Sequence, residues 1–189
     1  MASKKVDLIK LKQWQQELGS QELHVALAAL KQIEEIGSIQ IFPSLIQSLR
    51  ASAPMQLEHA ILKLIADIQS EEKIDLLMTA IDVEKDDAIR LKLLSCVWNS
   101  KQDFSNFLAE VVSLSTEGDF MQALECLTIL ENMSGPFSES QLLESQLYLK
   151  EYIESINKDK DQRKAQIISE IALFVKEQNE GIDADLLLD

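Results

Sequence analysis

Few residues in this 189-residue chain are of a type that does covalent or metal chemistry. His24 and His59 are its only histidines, and Cys96 and Cys126 its only cysteines. A metal site needs three or four converging ligands. Each histidine lies near the start of a different helical stretch, with no cysteine or second histidine at ligand spacing, so no metal is expected. Both cysteines sit inside apolar runs, Leu94-Ser95-Cys96-Val97 and Leu124-Glu125-Cys126-Leu127. Without a CxxC spacing or a nearby histidine to favour the thiolate, they read as buried free thiols in a reducing compartment. Asp86, Asp87 and Glu84 invite an acid–base reading. That chemistry needs two carboxylates whose surroundings drive their pKa values apart. Here they stand at the start of a helix, where acids complement the macrodipole. The five glycines form neither a phosphate loop nor a Gly-x-Ser-x-Gly elbow. No catalytic residue and no cofactor is expected, and the chain does not read as an enzyme.

Composition points to binding of a particular kind. The formal charge of −14 and pI near 4.5 oppose a nucleic-acid backbone, which needs clustered lysine and arginine. They also oppose an anionic membrane surface and favour a partner with basic patches. Trp14, Trp98, Phe42, Phe104, Phe107 and Phe174 fall on apolar faces without the interleaved basic residues that base stacking requires. They read as core, with Trp98 at a helix end as a half-exposed anchor for a partner. The amino terminus lacks a signal-peptide pattern, and no window approaches eighteen consecutive apolar residues, so a cytoplasmic protein is expected.

The elements that position these residues are helices. Apolar positions recur with helical spacing over residues 4–18, 21–36, 40–50, 55–68, 71–82, 86–98, 102–115, 118–133, 139–156 and 163–178. Gly19 and Gly37 read as stops, Ser20 as an N-cap, and Pro43 as a first-turn residue whose missing N–H costs nothing. Ser134-Gly135-Pro136 breaks the chain, and Ser138 with Gln141 makes a capping box for the next helix. A charged link, Asn157–Lys164, precedes the last helix, whose stripe is Ile167, Ile168, Ile171, Phe174 and Val175. Gly181 is expected to end it, leaving an acidic tail over 181–189.

The helices repeat. Val25, Leu57, Ile89 and Phe120 recur at steps of 32, 32 and 31, and so do Ala29, Ile61, Leu93 and Leu124. A second ladder runs through the intervening helices: Phe42, Ile74 and Phe104; Leu45, Leu77 and Phe107; Ile46, Met78 and Leu108; Leu49, Ile81 and Val111. Two ladders with one period describe antiparallel helix pairs, each with an apolar face that only its neighbours can cover.

Asp86-Asp87-Ala88-Ile89-Arg90 matches the Asp-x-x-Val-Arg opening of a HEAT repeat's first helix. Gly37 with Ile41-Phe42-Pro43-Ser44-Leu45-Ile46-Gln47-Ser48-Leu49 looks like that family's glycine stop and Ile-Pro-x-Leu second helix. The chain therefore resembles HEAT-like, armadillo-type helical repeats over residues 20–134 and on to 156. The resemblance implies an all-α, right-handed α-α superhelix: a solenoid of about four helix pairs with a further helix at each end. The expected layout is a repeat domain over 1–156, a linker turn and capping helix over 157–180, and a tail over 181–189. In the family, the Asp and Arg of the motif bond between repeats, a role that Asp86 and Arg90 would take beside Ile89. Second helices line the concave side, so Gln47, Asp75, Thr79, Asn106 and Glu110, opposite the inward row with Ser44 and Ser113, would meet a partner. The implied function is a non-catalytic, protein-binding scaffold or adaptor with an acidic concave surface, taking a basic or amphipathic segment. A homodimer through the ends of the stack is a further expectation. The competing reading is a regulatory subunit of an enzyme, or a HEAT-like DNA-repair enzyme, which the charge opposes.

Overall fold

The computed structural model describes residues 7–36, 39–51, 53–155 and 161–186. Among them the secondary structure is wholly helical: α1 (Leu8–Leu18), α2 (Leu23–Ile36), α3 (Phe42–Arg50), α4 (Met55–Asp67), α5 (Glu71–Val83), α6 (Asp87–Trp98), α7 (Leu108–Glu117), α8 (Phe120–Glu131), α9 (Glu139–Ser155) and α10 (Gln162–Leu186). Short 3-10 turns, Ile39–Ile41 and Ser105–Phe107, lead into α3 and α7. The Gly37 stop, the start of the first stretch at residue 4, the 157–160 part of the charged link and the tail residues 187–189 lie outside the described residues.

Helix ends follow local chemistry. Asp7, Asp86 and Asp119 cap α1, α6 and α8, their carboxylates accepting N–H groups that have no intrahelical acceptor. Ser20 Oγ accepts from Glu22 N just ahead of α2. The capping box before α9 forms in both directions: Ser138 N donates to Gln141 Oε1 and Gln141 N donates to Ser138 Oγ. Gly135 sits at φ 62, a left-handed conformation that disfavours any side chain, and makes the break between α8 and α9. Two ends differ from the sequence reading. The helix expected from residue 102 starts six residues later, because Asp103 accepts from Ser105 N and holds a turn. The last helix runs through Gly181 to Leu186. A glycine costs about 1 kcal/mol in a helix interior, and no proline follows to enforce a stop.

The chain divides into two compact units, Met1–Gln102 and Asp103–Asp189. In the first unit α1 packs on α2, α3 on α4 and α5 on α6, while α2 also meets α4 and α4 meets α6. In the second, α7 packs on α8 and α9 on α10, with α7 against α9 and α8 against α10. Each unit is thus built of helical hairpins laid side by side. The hairpins are offset by one helix from the sequence pairing, which joined the 21–36 helix to the 40–50 helix. The last helix is accordingly one arm of a hairpin with α9. Its stripe is covered as expected, with Ile168, Ile171 and Val175 buried.

Most ladder rungs are core. Ala29, Ile61 and Leu93 are buried, as are Leu49, Ile81 and Val111. The last rung of the first ladder is misplaced by two residues. Leu124 is 37% exposed and Phe120 only half-buried, while Gln122 and Cys126 are buried in their stead. Two residues turn a helix by about 200°, to the opposite face. The buried series is Ala29, Ile61, Leu93 and Cys126, with a last step of 33.

Candidate functional site

The HEAT-like motif lies at the α5–α6 junction, and its bonds are local. Asp86 accepts from Ala88 N and Ile89 N, capping its own helix. Arg90 donates through Nε and a terminal nitrogen to the Glu84 carbonyl, six residues back. Arg90 thus ties the start of α6 to the end of α5, and Ile89 is buried as a rung. A bond of longer reach is made by Glu84. Its buried carboxylate accepts from Arg50 Nε at 2.7 Å, at the end of α3, and from the N–H groups of Lys85 and Asp86. Burial would raise its pKa, but the Asp86 amide and the Arg50 guanidinium outweigh that and hold it below the ordinary carboxylate range. Sequence reasoning grouped Glu84 with the acids beside it and missed the partner 34 residues away.

Lys73, in the first turn of α5, has no exposed surface. Its ammonium donates to Ala66 O at 2.8 Å, Ile68 O at 2.9 Å and Ser100 Oγ at 2.9 Å. Ala66 and Ile68 are at the end of α4, whose last carbonyls have no intrahelical donor, and Ser100 follows α6. One side chain therefore fastens the ends of two helices to the start of a third. Burial pushes its pKa down to about 8, with Cys96 and Asp67 offsetting part of that. Its signal was in the ladder: Lys73 stands 32 residues after Ile41, itself fully buried.

The five residues expected to meet a partner, Gln47, Asp75, Thr79, Asn106 and Glu110, are all exposed. Asp75 and Thr79 share the outer face of α5, one turn apart. Leu76 and Val83 lie on that face, 37% and 58% exposed, with exposed Glu72 and Asp82 around them. The core side of the same helix is Lys73, Leu77, Met78 and Ile81. With the lysine turned inward, the outer face of α5 carries Glu72, Asp75 and Asp82, which make no ion pair among the described residues. Gln47 lies on α3 in the same unit, on a cleft of about 340 Å³ that Gln15, Ser20 and Pro54 also line. Ser44 on that cleft is buried, not exposed as expected, because α1 packs against α3 and its Gln15 and Leu18 line the cleft with it.

Asn106 and Glu110 belong to the second unit, at the start of α7. The Asn106 carbonyl accepts from Gln141 Nε2. Glu110 lies near Tyr148, whose pKa is raised chiefly by its hydrogen bond to Glu144 and further by burial and the negative charges of Glu144 and Glu110. A shallow groove of about 310 Å³ lies between α9 and α10, over Leu149, Ile153, Ala172 and Val175.

The residues weighed for chemistry are placed as follows. Cys96 and Cys126 are buried free thiols. Burial pushes the Cys96 thiol up to about 12, and its sulfur donates to Leu62 O, so it is not poised as a thiolate. His24 and His59 are exposed. Among the described residues no three His, Cys, Asp or Glu side chains cluster as a metal site. Nor is any helix long and apolar enough to cross a membrane. Comparison with family models, characterised proteins and solved structures finds no match to the chain.

Proposed function

We propose that the chain is a cytoplasmic, non-catalytic protein-binding scaffold or adaptor of the HEAT-like, armadillo-type class. Its hairpins would stack as a right-handed α-α superhelix, and an acidic helix row would take a basic or amphipathic segment of a partner protein. The observation that carries the binding reading is the outer face of α5, where Glu72, Asp75 and Asp82 surround exposed Leu76 and Val83 while the helix's one lysine is spent in the core. An apolar strip rimmed by one sign of charge suits an amphipathic segment of the other sign.

The repeat reading is supported by hydrogen bonds that recur near the ladder period. Arg50 reaches Glu84, and Lys92 reaches Glu58, each 34 residues apart. Gln102 Nε2 donates to Ser70 O across 32 residues, and Gln141 Nε2 to Asn106 O across 35. Hairpins of one length laid side by side produce such spacing in each unit.

The test is titration of the full chain with a fluorescent lysine- and leucine-rich amphipathic peptide. Wild type should bind, and Asp75→Lys with Thr79→Lys should bind about tenfold or more weakly, a loss of about 1.4 kcal/mol. Glu34→Lys with Glu35→Lys, which reverses two exposed acids on α2 and so changes the charge by more, should change affinity far less. No binding, or an equal loss in both variants, would overturn the reading.

A further inference from the structure

The outer side of α5 carries a pattern finer than its charge. Glu72, Leu76, Thr79 and Val83 follow one another at steps of four, three and four residues, the spacing that keeps one stripe of a helix facing a second helix. All four are exposed, Leu76 at 37% and Val83 at 58%. At about 100° per residue they fall within a sector about 60° wide. Asp75 and Asp82 form a second exposed row along one edge of that stripe, seven residues apart. The other edge is Lys73 and Ala80, the first buried and the second half-buried. The stripe therefore has one open flank, and that flank is acidic. Neither aspartate makes an ion pair among the described residues, and α5 has no exposed basic residue of its own.

The spacing along the helix selects the shape of the occupant. Leu76 and Val83 are two turns apart, about 10.5 Å at the helical rise, and so are Asp75 and Asp82. An extended segment repeats its same-face side chains about every 7 Å, so no two of them stand over both members of either pair. A second helix repeats at the same two-turn interval, so its apolar residues meet Leu76 and Val83 while its flank meets both aspartates. The charge selects the chemistry of that flank: lysine or arginine, on one side only.

We infer that the outer face of α5 is one half of a two-stranded coiled coil, whose other half is a helix of a partner protein with apolar side chains at heptad spacing and basic residues along the flank beside Asp75 and Asp82. The inference rests on the proposed function and narrows its partner from any basic amphipathic segment to a helix. Leu76 and Val83 are the anchors of the contact. Thr79, between them in the stripe, is a polar residue at a core position of the pairing, where it lowers the stability of the contact. Filling that position with an apolar side chain therefore strengthens the binding of a helix in this register.

The experiment titrates the full chain with two labelled peptides of identical composition, built of leucine and lysine. One places its leucines at heptad positions with lysines beside them; the other spreads the same residues so that leucines fall on every side of a helix. Fluorescence anisotropy reads affinity, and far-UV circular dichroism of the mixture reads helix gained on binding, since short peptides are marginal helices alone. The heptad peptide should gain helix and bind about tenfold or more tightly than the other. Leu76→Lys should weaken it about tenfold, and Leu147→Lys, an equal change on exposed Leu147 of α9, should not. Thr79→Leu should tighten it about threefold or more. All three positions are exposed, and thermal melts check that the variants fold. Equal affinity for both peptides, or binding without helix gain, would overturn the inference while leaving the proposed function standing. A heptad peptide indifferent to Leu76→Lys, or weakened by Thr79→Leu, would also overturn it. Binding of neither peptide would overturn both.

Discussion

Replacing Lys73 with methionine tests the staple between α4, α5 and α6. Lys73→Met keeps nearly the same length and burial but removes the ammonium from Ala66 O, Ile68 O and Ser100 Oγ. Two of these acceptors belong to buried residues, and an orphaned buried carbonyl costs about 1–3 kcal/mol. Part of that loss is returned because a charge is no longer desolvated, so the variant should lose about 2 kcal/mol near pH 7. The pH dependence is the sharper signature. The folded-state pKa of about 8 lies below the ordinary 10.5, so the unfolded chain binds more protons between those values. Stability from this group therefore rises as pH climbs from 8 toward 10.5, and wild type should gain about 2 kcal/mol between about pH 7 and about pH 9.5 relative to the variant. Both tryptophans, Trp14 and Trp98, lie in the same unit as Lys73, so urea unfolding followed by their fluorescence reports on that unit. Equal pH slopes for wild type and Lys73→Met, or a variant more stable than wild type at neutral pH, would refute the reasoning.

Other expectations follow from the same coordinates. Glu84→Gln should flatten the loss of stability in acid, because a carboxylate held below its ordinary pKa contributes above its unfolded value and loses that contribution as pH falls through the folded one; acid titration of the tryptophan signal measures it. Leu93→Ala should cost about 2–5 kcal/mol and Leu124→Ala less than about 1 kcal/mol, since Leu93 is fully buried and Leu124 is not; equal losses in thermal melts would contradict the ladder register. Gly118→Ala should cost about 1–3 kcal/mol, because an added Cβ would stand 2.6 Å from Gln122 Cβ on the next helix; circular dichroism melting reads the shift, and an unchanged midpoint would count against that close approach.

Helix positions were readable because apolar side chains recur every three to four residues and the breaks carry their own chemistry. Ser134-Gly135-Pro136 and the Ser138–Gln141 box are examples, and both occur where the sequence places them. The pairing of helices was less readable. A period of about thirty-two is the same whichever neighbour a helix leans on, so it cannot tell α3 on α4 from α3 on α2. The last rung slipped because Phe120 is the more apolar residue, yet Gln122 occupies the buried side of α8. Gly181 failed as a stop because an isolated glycine penalises a helix without ending it.

The candidate site divides along similar lines. The outward direction of Asp75 and Thr79 followed from Leu77, Met78 and Ile81 pointing inward. The role of Lys73 did not, because hydrophobic patterning assigns a lysine to solvent, and only its three acceptors make its burial tolerable. Arg50 and Glu84 were equally hidden, since a long-range ion pair leaves no local pattern.

Amide hydrogen exchange on the dilute full chain, with and without a basic amphipathic peptide, tests the central claim most directly. The account predicts slower exchange over residues 71–83, with the buried rungs of α4 and α6 unchanged. Unaltered exchange across α5, or protection confined to segments distant from it, would contradict a scaffold that binds through this acidic helix.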